Sequence, residues 1–387
     1  MPLRMGIIGY GHRAGYGFRE ELAKPENDAE LTAIWDPSPA SQARAIAEVP
    51  GVRVASSLDD LLSSGIDAVM VLSPDFDHAA SAIAALRAGI PVFCEKPITI
   101  DTADADEMLR VAYETKTRLY IGHNMRHLPM VRIMRDLILA GRIGEVKAVW
   151  CRHFVGNGGD YYFKDWHADR SKSNSLLLQK GAHDIDVIHW LAGAPSASVV
   201  GMGGLTVYGQ IEDREDRSGQ MMHDWISYDN WPPLTQKGLN PVVDVEDISM
   251  MMMQLRNGVF ASYQQCHYTP DYWRNYTVIG TEGRIENFGD GAPGVIKVWT
   301  SRGGYTEADE IIPIPEADGG HGGADEALVK EFLNFVRHGG ATETSPVAAR
   351  DSVAAGVAAT DSIRGNGCPV VIPPVSDELQ AYFAAQP

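Results

Sequence analysis

The chain has 387 residues, 44% of them apolar, and carries a formal net charge of −18. Its length predicts two domains, its negative charge argues against nucleic acid or an anionic membrane as a partner, and no apolar stretch approaches the length of a membrane span. The first residues lack a signal-peptide pattern and the four cysteines are scattered, so we expect a cytoplasmic protein without disulfides.

The first predicted strand runs into a glycine-rich turn. An apolar run from Met5 to Ile8 leads directly into Gly9-x-Gly11-x-x-Ala14, after which the chain turns toward helix. Strand, tight turn and helix in this order are the context that a dinucleotide fingerprint requires. Gly9 permits the turn, Gly11 lets the backbone approach a pyrophosphate, and Ala14 allows close helix packing. We expect the whole turn to bind the cofactor, namely Gly9, Tyr10, Gly11, His12, Arg13 and Ala14.

A second predicted strand ends at an acidic residue. Residues 31–35 are mostly apolar and lead to Asp36, which Pro37 follows. An acidic side chain at this point accepts hydrogen bonds from both hydroxyls of an adenosine ribose and repels a 2′-phosphate. No Arg or Lys stands beside Asp36, so NAD is favoured over NADP. The alternative is that Asp36 only caps the helix that begins near Ser38.

The first 120 residues alternate short apolar strands with helices. Further strands are predicted over 68–72, 91–94 and 118–121, with helices over 39–47, 59–62, 78–88 and 102–115. Fully apolar strands separated by helices indicate a parallel sheet covered on both faces, hence an α/β domain. Such sheets bind ligands outside the carboxyl ends of their strands.

The pattern changes after Asn124. Longer strands are predicted over 149–155, 199–208, 248–256, 259–267, 276–280 and 295–300, with helices over 183–191, 324–338 and 346–364. They indicate an α+β domain with a large, open, mainly antiparallel sheet. We therefore assign 1–124 to the cofactor and 125–387 to substrate binding and oligomerisation, with 346–364 as a C-terminal helical segment. The methionine run 250–253 is expected to face a core or a subunit contact, and the open sheet predicts a homo-oligomer, a dimer or tetramer.

A lysine lies where the nicotinamide is expected. Cys94-Glu95-Lys96-Pro97 closes a predicted strand at the carboxyl edge of the first sheet. Burial near a positively charged nicotinamide lowers a lysine pKa, which lets Lys96 exchange a proton with a hydroxyl while Glu95 holds it in place. The alternative is a surface salt bridge at a strand end.

A second polar cluster opens the helix over 183–191. Gln179, Lys180 and His183 lie about one turn apart, and a His at a helix start has its pKa lowered by the helix dipole. His183, Asp186 and His189 have metal-ligating side chains, but we expect Asp186 and His189 to cap or pair within the helix and expect no metal.

These motifs together resemble the Gfo/Idh/MocA oxidoreductases over nearly the whole chain. The resemblance implies an N-terminal Rossmann domain, a C-terminal open-sheet domain, NAD or NADP, and hydride transfer at a secondary alcohol of a sugar or cyclitol. Lys96 and His183 match the catalytic Lys and His of the family. The motifs are Gly9 to Ala14, Asp36, Ser73-Pro74 with His78, Glu95-Lys96-Pro97, Asn124-x-Arg126-x-x-Pro129, Gly181-x-His183-x-x-Asp186 and the stretch from Thr281 to Glu286. We accordingly expect Ser73, Pro74, His78, Glu95 and Lys96 at the cofactor.

One departure from the family bears on mechanism. Many members carry an Asp one turn before the catalytic His, where this chain has Gln179 followed by Lys180. Gln179 cannot act as a base, whereas Lys180 adds a second cation near Lys96. Two ammonium groups lower each other's pKa, attract an anionic substrate group and stabilise an enolate. The alternative is that Lys180 turns to solvent.

The substrate loops are rich in aromatic and hydrogen-bonding side chains that suit a sugar ring. From residues 154–175 and 267–275 we select Trp166, with Arg126, Gln179, Lys180 and His183, as substrate contacts. The first hypothesis is an NAD-dependent sugar oxidoreductase. The second is a redox-neutral glycosidase that oxidises, eliminates, adds water and re-reduces, with an anionic glycoside as one candidate substrate. The third is a homologue without catalysis.

Overall fold

A computed structural model of the chain describes residues 1–317, 319 and 321–385, which build two sheets. The strands are β1 (Leu3–Ile8), β2 (Ala29–Trp35), β3 (Arg53–Val54), β4 (Ala68–Val71), β5 (Val92–Cys94), β6 (Leu119–Ile121), β7 (Val146–Phe154), β8 (Ser196–Gly204), β9 (Ile248–Leu255), β10 (Phe260–Cys266), β11 (Trp273–Gly280), β12 (Arg284–Phe288), β13 (Val295–Trp299), β14 (Glu310–Pro313) and β15 (Val370–Val371).

The α-helices cover both sheets, and short 3₁₀ turns join them. They are α1 (Arg19–Leu22), α2 (Pro39–Glu48), α3 (Leu58–Leu62), α4 (His78–Arg87), α5 (Thr102–Thr115), α6 (Pro129–Leu139), α7 (Gly158–Tyr161), α8 (Arg170–Ser173), α9 (Leu176–Gln179), α10 (Gly181–Ala192), α11 (Met222–Trp225), α12 (Ala324–His338), α13 (Pro346–Arg364) and α14 (Asp377–Ala385). Within the described part of the chain, none of them has the length and apolar character needed to span a bilayer.

The first sheet is parallel throughout, with the strand order β3-β2-β1-β4-β5-β6. Its central strands are buried on both faces, which explains their unbroken apolar sequences. The predicted α/β domain is confirmed. The helix after the fingerprint differs from expectation: residues Ala14–Phe18 form a π-helical turn before α1 begins. Two glycines fall in this turn, and glycine is a weak former of regular α-helix.

The second sheet has nine strands in the order β14-β13-β12-β11-β7-β10-β9-β8-β15. All neighbours pair antiparallel except β7 and β10, so the predicted mainly antiparallel sheet is confirmed. Helices α10 and α13 lie against it. The strand predicted over 199–208 ends earlier, at Gly204, and the sequence analysis missed β12, β14, β15 and α6. Three of these are short segments at or near the edge of the sheet, where periodicity is hard to detect.

The methionine run alternates between the two faces of β9. Met251 and Met253 are buried in the core of the second domain, whereas Met250 and Met252 are exposed. A strand turns successive side chains to opposite faces, so one run serves both the core and an open surface. Met202 and Trp150 on neighbouring strands are also exposed.

Helices from the second half of the chain complete the first domain. Phe332 and Phe335 of α12 pack into the cluster that holds Phe93 and Tyr120 of the parallel sheet. Phe383 of α14 joins the cluster on the other face. All strands of the first sheet come before residue 124 and all strands of the second sheet come after it. Because α12 and α14 pack on the first sheet, the segment 125–387 is not confined to the second domain.

Candidate functional site

The glycine turn after β1 lies against the segment that follows β4. Gly9 has φ of +83°, and a Cβ built on it falls 2.6 Å from the backbone of Ser73. Gly9 is thus required by both conformation and space. Gly11 differs, because a Cβ built on it meets nothing within 4 Å. That open space at the carboxyl end of the sheet is where a pyrophosphate approaches the backbone in this class of fold.

Asp36 ties the glycine turn to the end of β2. Its Oδ2 accepts a hydrogen bond from the Tyr10 N–H at 2.7 Å, and its Oδ1 accepts one from the Ser38 N–H at 2.8 Å. Burial raises the pKa of this carboxyl, and the two N–H donors oppose that rise. The second donor fits the alternative that Asp36 orders the start of α2. The carboxylate nevertheless stands beside the glycine turn with further lone pairs, as ribose binding requires.

Three side chains expected at the cofactor are bound to other parts of the protein, namely those of Tyr10, Arg13 and His78. The Tyr10 side chain is buried and its hydroxyl donates to Glu48. Arg13 forms an ion pair with Glu95 and a bidentate pair with Asp325 of α12. These side chains fasten the turn to α2 and α12, and the contact of residues 10 and 13 with a cofactor stays a prediction. His12 remains exposed at the turn, and Ala14 is buried as predicted.

His78 is the third of these side chains. One ring nitrogen lies 2.7 Å from the Pro97 carbonyl and the other 2.9 Å from the Ser73 carbonyl. Burial works against the charged ring, but Cys94, Asp75 and the Pro97 carbonyl raise the pKa of His78 to about 10. A charged ring donates to both carbonyls and joins the turn after β4 to the turn after β5. His78 therefore positions Ser73, Pro74 and Lys96 and does not itself reach into the crevice.

Lys96 faces the crevice between the two domains. Its Nζ donates to the Gln179 carbonyl at 3.3 Å, across the domain boundary. Glu95 does not hold the ammonium, as was expected; it accepts from the Lys96 backbone N–H and from Arg13. The surface salt bridge considered as an alternative is absent between these described residues. Burial lowers the pKa of Lys96, and Arg13 and Arg274 add to that effect while Asp75 and Glu95 oppose it.

The start of α10 supplies the other titratable groups. His183 is buried, its Nδ1 has no hydrogen-bond partner among the described residues, and burial together with Lys96 and Lys180 holds its pKa well below the usual value. Lys180 does not turn to solvent. Its Nζ lies 5.9 Å from the centre of the Tyr162 ring, and burial, Arg274 and Lys96 lower its pKa to about 7. Both groups therefore offer a lone pair near neutral pH.

All three guanidinium nitrogens of Arg126 are bound within the protein, and its predicted contact with substrate remains untested. Its Nε and Nη2 each bond to Asp186 at 2.7 Å, and its Nη1 donates to the Glu343 carbonyl. Asp186 thus pairs across helices and not within α10, and His189 bonds to Ser196. Over residues 1–317, 319 and 321–385, no group of three or more metal-ligating side chains is assembled.

Trp166 comes from the second domain and lies over the first. Its ring stacks on His167 with centroids 3.7 Å apart and meets Phe76 edge-on at 5.8 Å, close to the Ser73–Pro74 turn. It is half-buried, and its contact with substrate stays a prediction.

An ionic centre beside His183 was not predicted from the sequence. Asp184 is fully buried, forms an ion pair with Arg274, and accepts hydrogen bonds from Tyr263 and Tyr276, with His153 Nδ1 at 2.9 Å. The sequence indicated Arg274 only as part of the polar stretch 267–275, because its partner Asp184 is distant in the sequence. The only signal was a charged Asp next to the predicted catalytic His.

Unpartnered polar atoms lie around this same crevice. Buried side-chain atoms of Ser73, His123, Asn124, Gln179 and His183 have no hydrogen-bond partner among the described residues. Buried polar groups are ordinarily paired, so atoms of this kind fit a polar ligand held between the domains. With the open space at Gly11 and the carboxylate of Asp36, the residues present fit a dinucleotide.

A parallel sheet with this fingerprint, joined to an open-sheet domain at a lysine–histidine crevice, defines an NAD-binding oxidoreductase. Residues 3–123 match the family model of the oxidoreductase family, NAD-binding Rossmann fold, and residues 135–372 match its C-terminal alpha/beta domain. The chain belongs to the Gfo/Idh/MocA oxidoreductase family, and its cofactor is NAD.

Similar proteins include several that act on sugars or cyclitols by name. Inositol 2-dehydrogenase of Leifsonia xyli is 32% identical over 51% of this chain and 56% of its own length. A 2,7-anhydro-N-acetylneuraminate hydratase of Mediterraneibacter gnavus is 32% identical over 52% of this chain and 53% of its own length. The chain thus matches little more than half the length of these relatives. A structure of levoglucosan dehydrogenase with NADH and levoglucosan has the same fold, with a TM-score of 0.78 and 20% identity over 96% of this chain and 100% of the other.

Proposed function

We propose that the protein oxidises a secondary hydroxyl of a sugar or cyclitol, or reduces the corresponding ketone. The observation that carries the proposal is the meeting of Lys96 and His183 in one crevice beside the glycine turn, each with a lowered pKa. Bound NAD supplies the hydride acceptor for this reaction. The inositol and levoglucosan dehydrogenases among the similar proteins support the substrate class.

The lysine and histidine divide the handling of the hydroxyl proton. His183 is neutral at pH 7 and accepts a hydrogen bond through a free ring nitrogen. Lys96 is bound to the Gln179 carbonyl and contacts the substrate oxygen from the side of the first domain. We assign the hydroxyl proton to this pair, with the neutral member as the acceptor in oxidation.

The test is NAD reduction with a panel of sugars, glycosides and cyclitols, using wild type and Lys96→Met. Loss of a proton-transferring group lowers kcat about 10²- to 10⁴-fold, while the Kd for NAD should stay within about twofold. Lys147→Met is the matched control, because Lys147 is exposed at the far end of β7. Absence of nicotinamide reduction with every compound overturns the proposal. Full nicotinamide reduction by Lys96→Met would show that Lys96 does not transfer the proton. Unchanged biological activity of the variant, without nicotinamide reduction by either protein, would favour a homologue without catalysis.

A redox-neutral glycosidase or lyase is the second candidate, and Lys180 is the observation that favours it. A lysine with a pKa of about 7 next to Lys96 suits both removal of an acidified C–H proton and stabilisation of an enolate. The hydratase among the similar proteins supports such chemistry in a relative. Release of an aglycone without added NAD and without net nicotinamide reduction supports this candidate. Inertness toward all glycosides refutes it.

We also propose that the protein forms a homo-oligomer through the open face of the second sheet. The exposed side chains of Met202, Met250, Met252, Trp150 and Phe260 form an apolar surface on adjacent strands. Such surfaces are uncommon on monomers. Light scattering of the purified protein should give a dimer or tetramer, and Met252→Glu should lower the measured mass toward that of the monomer. A monomeric wild type would contradict the proposal.

A further inference from the structure

Three cationic side chains from different elements meet at the crevice. Lys96 follows β5, Lys180 precedes α10, and Arg274 lies on β11. Arg274 is on the same face of β11 as Tyr276, whose hydroxyl bonds to Asp184 of α10, so Arg274 faces the start of that helix. The positive charge of Arg274 lowers the pKa of Lys96, Lys180 and His183 alike. The three groups therefore act on one another in a protein whose net charge is −18.

Arg274 is held at its inner end by an ion pair. Its Nε lies 3.1 Å from Asp184, although the N–H has no hydrogen-bond partner among the described residues. Asp184 is fixed in turn by the hydroxyls of Tyr263 and Tyr276 and by His153. The two terminal amino groups make only long contacts: Nη2 lies 3.4 Å from His153 Nε2, and Nη1 lies 3.7 Å from Asp290. A guanidinium fastened in this way keeps donors in a fixed fork, which matches the geometry of a carboxylate.

Lys180 supplies charge that no neighbour neutralises. No carboxylate of the described residues lies within the 4.0 Å ion-pair distance of the ammonium groups of Lys180 and Lys96. Asp184 and Asp290 both lie at ion-pair distance from Arg274, so neither is paired with Lys180. A carboxylate on a bound molecule can pair with the Lys180 ammonium, and Lys96 is then left for the hydroxyl.

We propose that Arg274 and Lys180 bind a carboxylate of the substrate, so that the protein acts on an acidic sugar such as a uronate. This inference rests on the proposed oxidoreductase function and names the substrate class for that same site. Arg274 is the specificity-determining residue, and Asp184 with its tyrosines is the platform that positions it.

Binding of an anion beside Lys180 carries a consequence for pH dependence. The charged and titratable groups that act on Lys180 come from several elements. They are Arg274, Lys96, Asp184, Asp290, Tyr162, His153, His183 and His267. A bound carboxylate favours the protonated amine, so the pKa of Lys180 rises and the sugar acid binds with uptake of a proton. The KM for a sugar acid should therefore increase as the pH rises through about 7, because the free enzyme loses the Lys180 proton there. The KM for a neutral sugar should lack this dependence.

The test compares each uronate with its neutral parent. Binding of D-glucuronate, D-galacturonate, D-glucose and D-galactose to the NADH-loaded enzyme is measured by calorimetry. Oxidation of each with NAD is followed at about pH 6 and about pH 8, one unit either side of the Lys180 pKa. The wild type should prefer the acids. Lys180→Met and Arg274→Met should each lower the ratio of acid to neutral sugar about 10- to 100-fold, the usual effect of losing one charge-assisted contact.

Two further variants are controls, one for loss of folding and one for the loss of a positive charge. Arg274→Lys retains the charge should Arg274→Met fail to fold, and Lys180 makes no hydrogen bond on which folding depends among the described contacts. Lys147→Met removes one positive charge elsewhere and should leave the ratio unchanged. Failure to bind either uronate, a stronger response to sugar phosphates, or an unchanged ratio in Lys180→Met overturns the inference. Oxidation of neutral sugars alone would leave the proposed function standing, whereas no oxidation of any sugar would remove that function itself.

Discussion

Replacing Gly9 by alanine should destabilise the protein whether or not NAD is present. A Cβ at this position falls 2.6 Å from the Cα and N atoms of Ser73 and 3.0 Å from the Leu72 carbonyl carbon. These are backbone atoms of the segment after β4, and they cannot rotate away as a flexible side chain can. The φ of +83° adds a second penalty, because an L-residue is strained there.

The two penalties set the expected magnitude. A side chain in the left-handed region costs about 1–2 kcal/mol. Overpacking against a rigid neighbour adds about 1–3 kcal/mol. Gly9→Ala should therefore lower the free energy of unfolding of the first domain by about 2–5 kcal/mol, a large share of the stability of an ordinary domain.

Gly11→Ala is the matched control. Its Cβ meets nothing within 4 Å, and its φ is not in the left-handed region, so the protein without cofactor should keep its wild-type melting temperature. The added methyl instead occupies the space where the pyrophosphate approaches, and the Kd for NAD should rise about tenfold or more, a loss of at least about 1.4 kcal/mol. Thermal denaturation with and without NAD, together with calorimetric titration, separates the two effects. Wild-type stability of Gly9→Ala, or a lower melting temperature of cofactor-free Gly11→Ala, would refute the reasoning.

Three further substitutions test the site and its supports. Asp36→Ala should weaken NAD binding and narrow the preference for NADH over NADPH in fluorescence titrations, and an unchanged preference would assign Asp36 to the α2 cap alone. Arg126→Met removes the arginine partner of the buried Asp186 carboxylate and leaves only His123, 3.5 Å away, beside it. The variant should cost about 3–5 kcal/mol in chemical denaturation, much of it recovered by adding Asp186→Leu, whereas a raised KM at unchanged stability would support Arg126 as a substrate contact. Burial raises the pKa of Asp351 to about 6, so the folded state binds more protons than the unfolded chain between about pH 4 and 6 and loses stability as the pH rises through that range. Asp351→Asn should flatten this slope, and an identical slope in the variant would show that Asp351 is not its source.

The sequence predicted the fold of the cofactor domain and the cofactor itself because the signals for both are local. Gly9, Gly11 and Asp36 are required by backbone geometry within one strand-turn-helix unit, and such requirements appear as fixed spacings. The exceptions are instructive. Tyr10 and His78 belong to the same motifs, but their side chains hold neighbouring turns in place. A motif shows that a residue is needed, and only the contacts show whether it touches the ligand.

The substrate half was predicted less well because its contacts are distant in the sequence. Arg126 pairs with Asp186, and Arg274 with Asp184, across separate elements. A buried arginine bound to a carboxylate and an arginine free to bind a ligand have the same appearance in a sequence. Charge balance distinguishes them in the structure: Arg126 is satisfied by Asp186 and a carbonyl, whereas Arg274 retains two terminal groups with long contacts.

Helix α10 links the two halves. His183 and Asp184 are successive residues, and successive side chains on a helix point about 100° apart. His183 lies near Lys96 of the first domain, while Asp184 is bonded to Arg274 and the tyrosines of the second sheet. The pairing that fixes Asp184 against the sheet therefore also fixes the direction of His183 toward the first domain. A change at Asp184 should consequently alter proton transfer and substrate selection together, because the fully buried carboxylate is bound to Arg274, His153 and both tyrosines on one side and adjoins His183 in the chain.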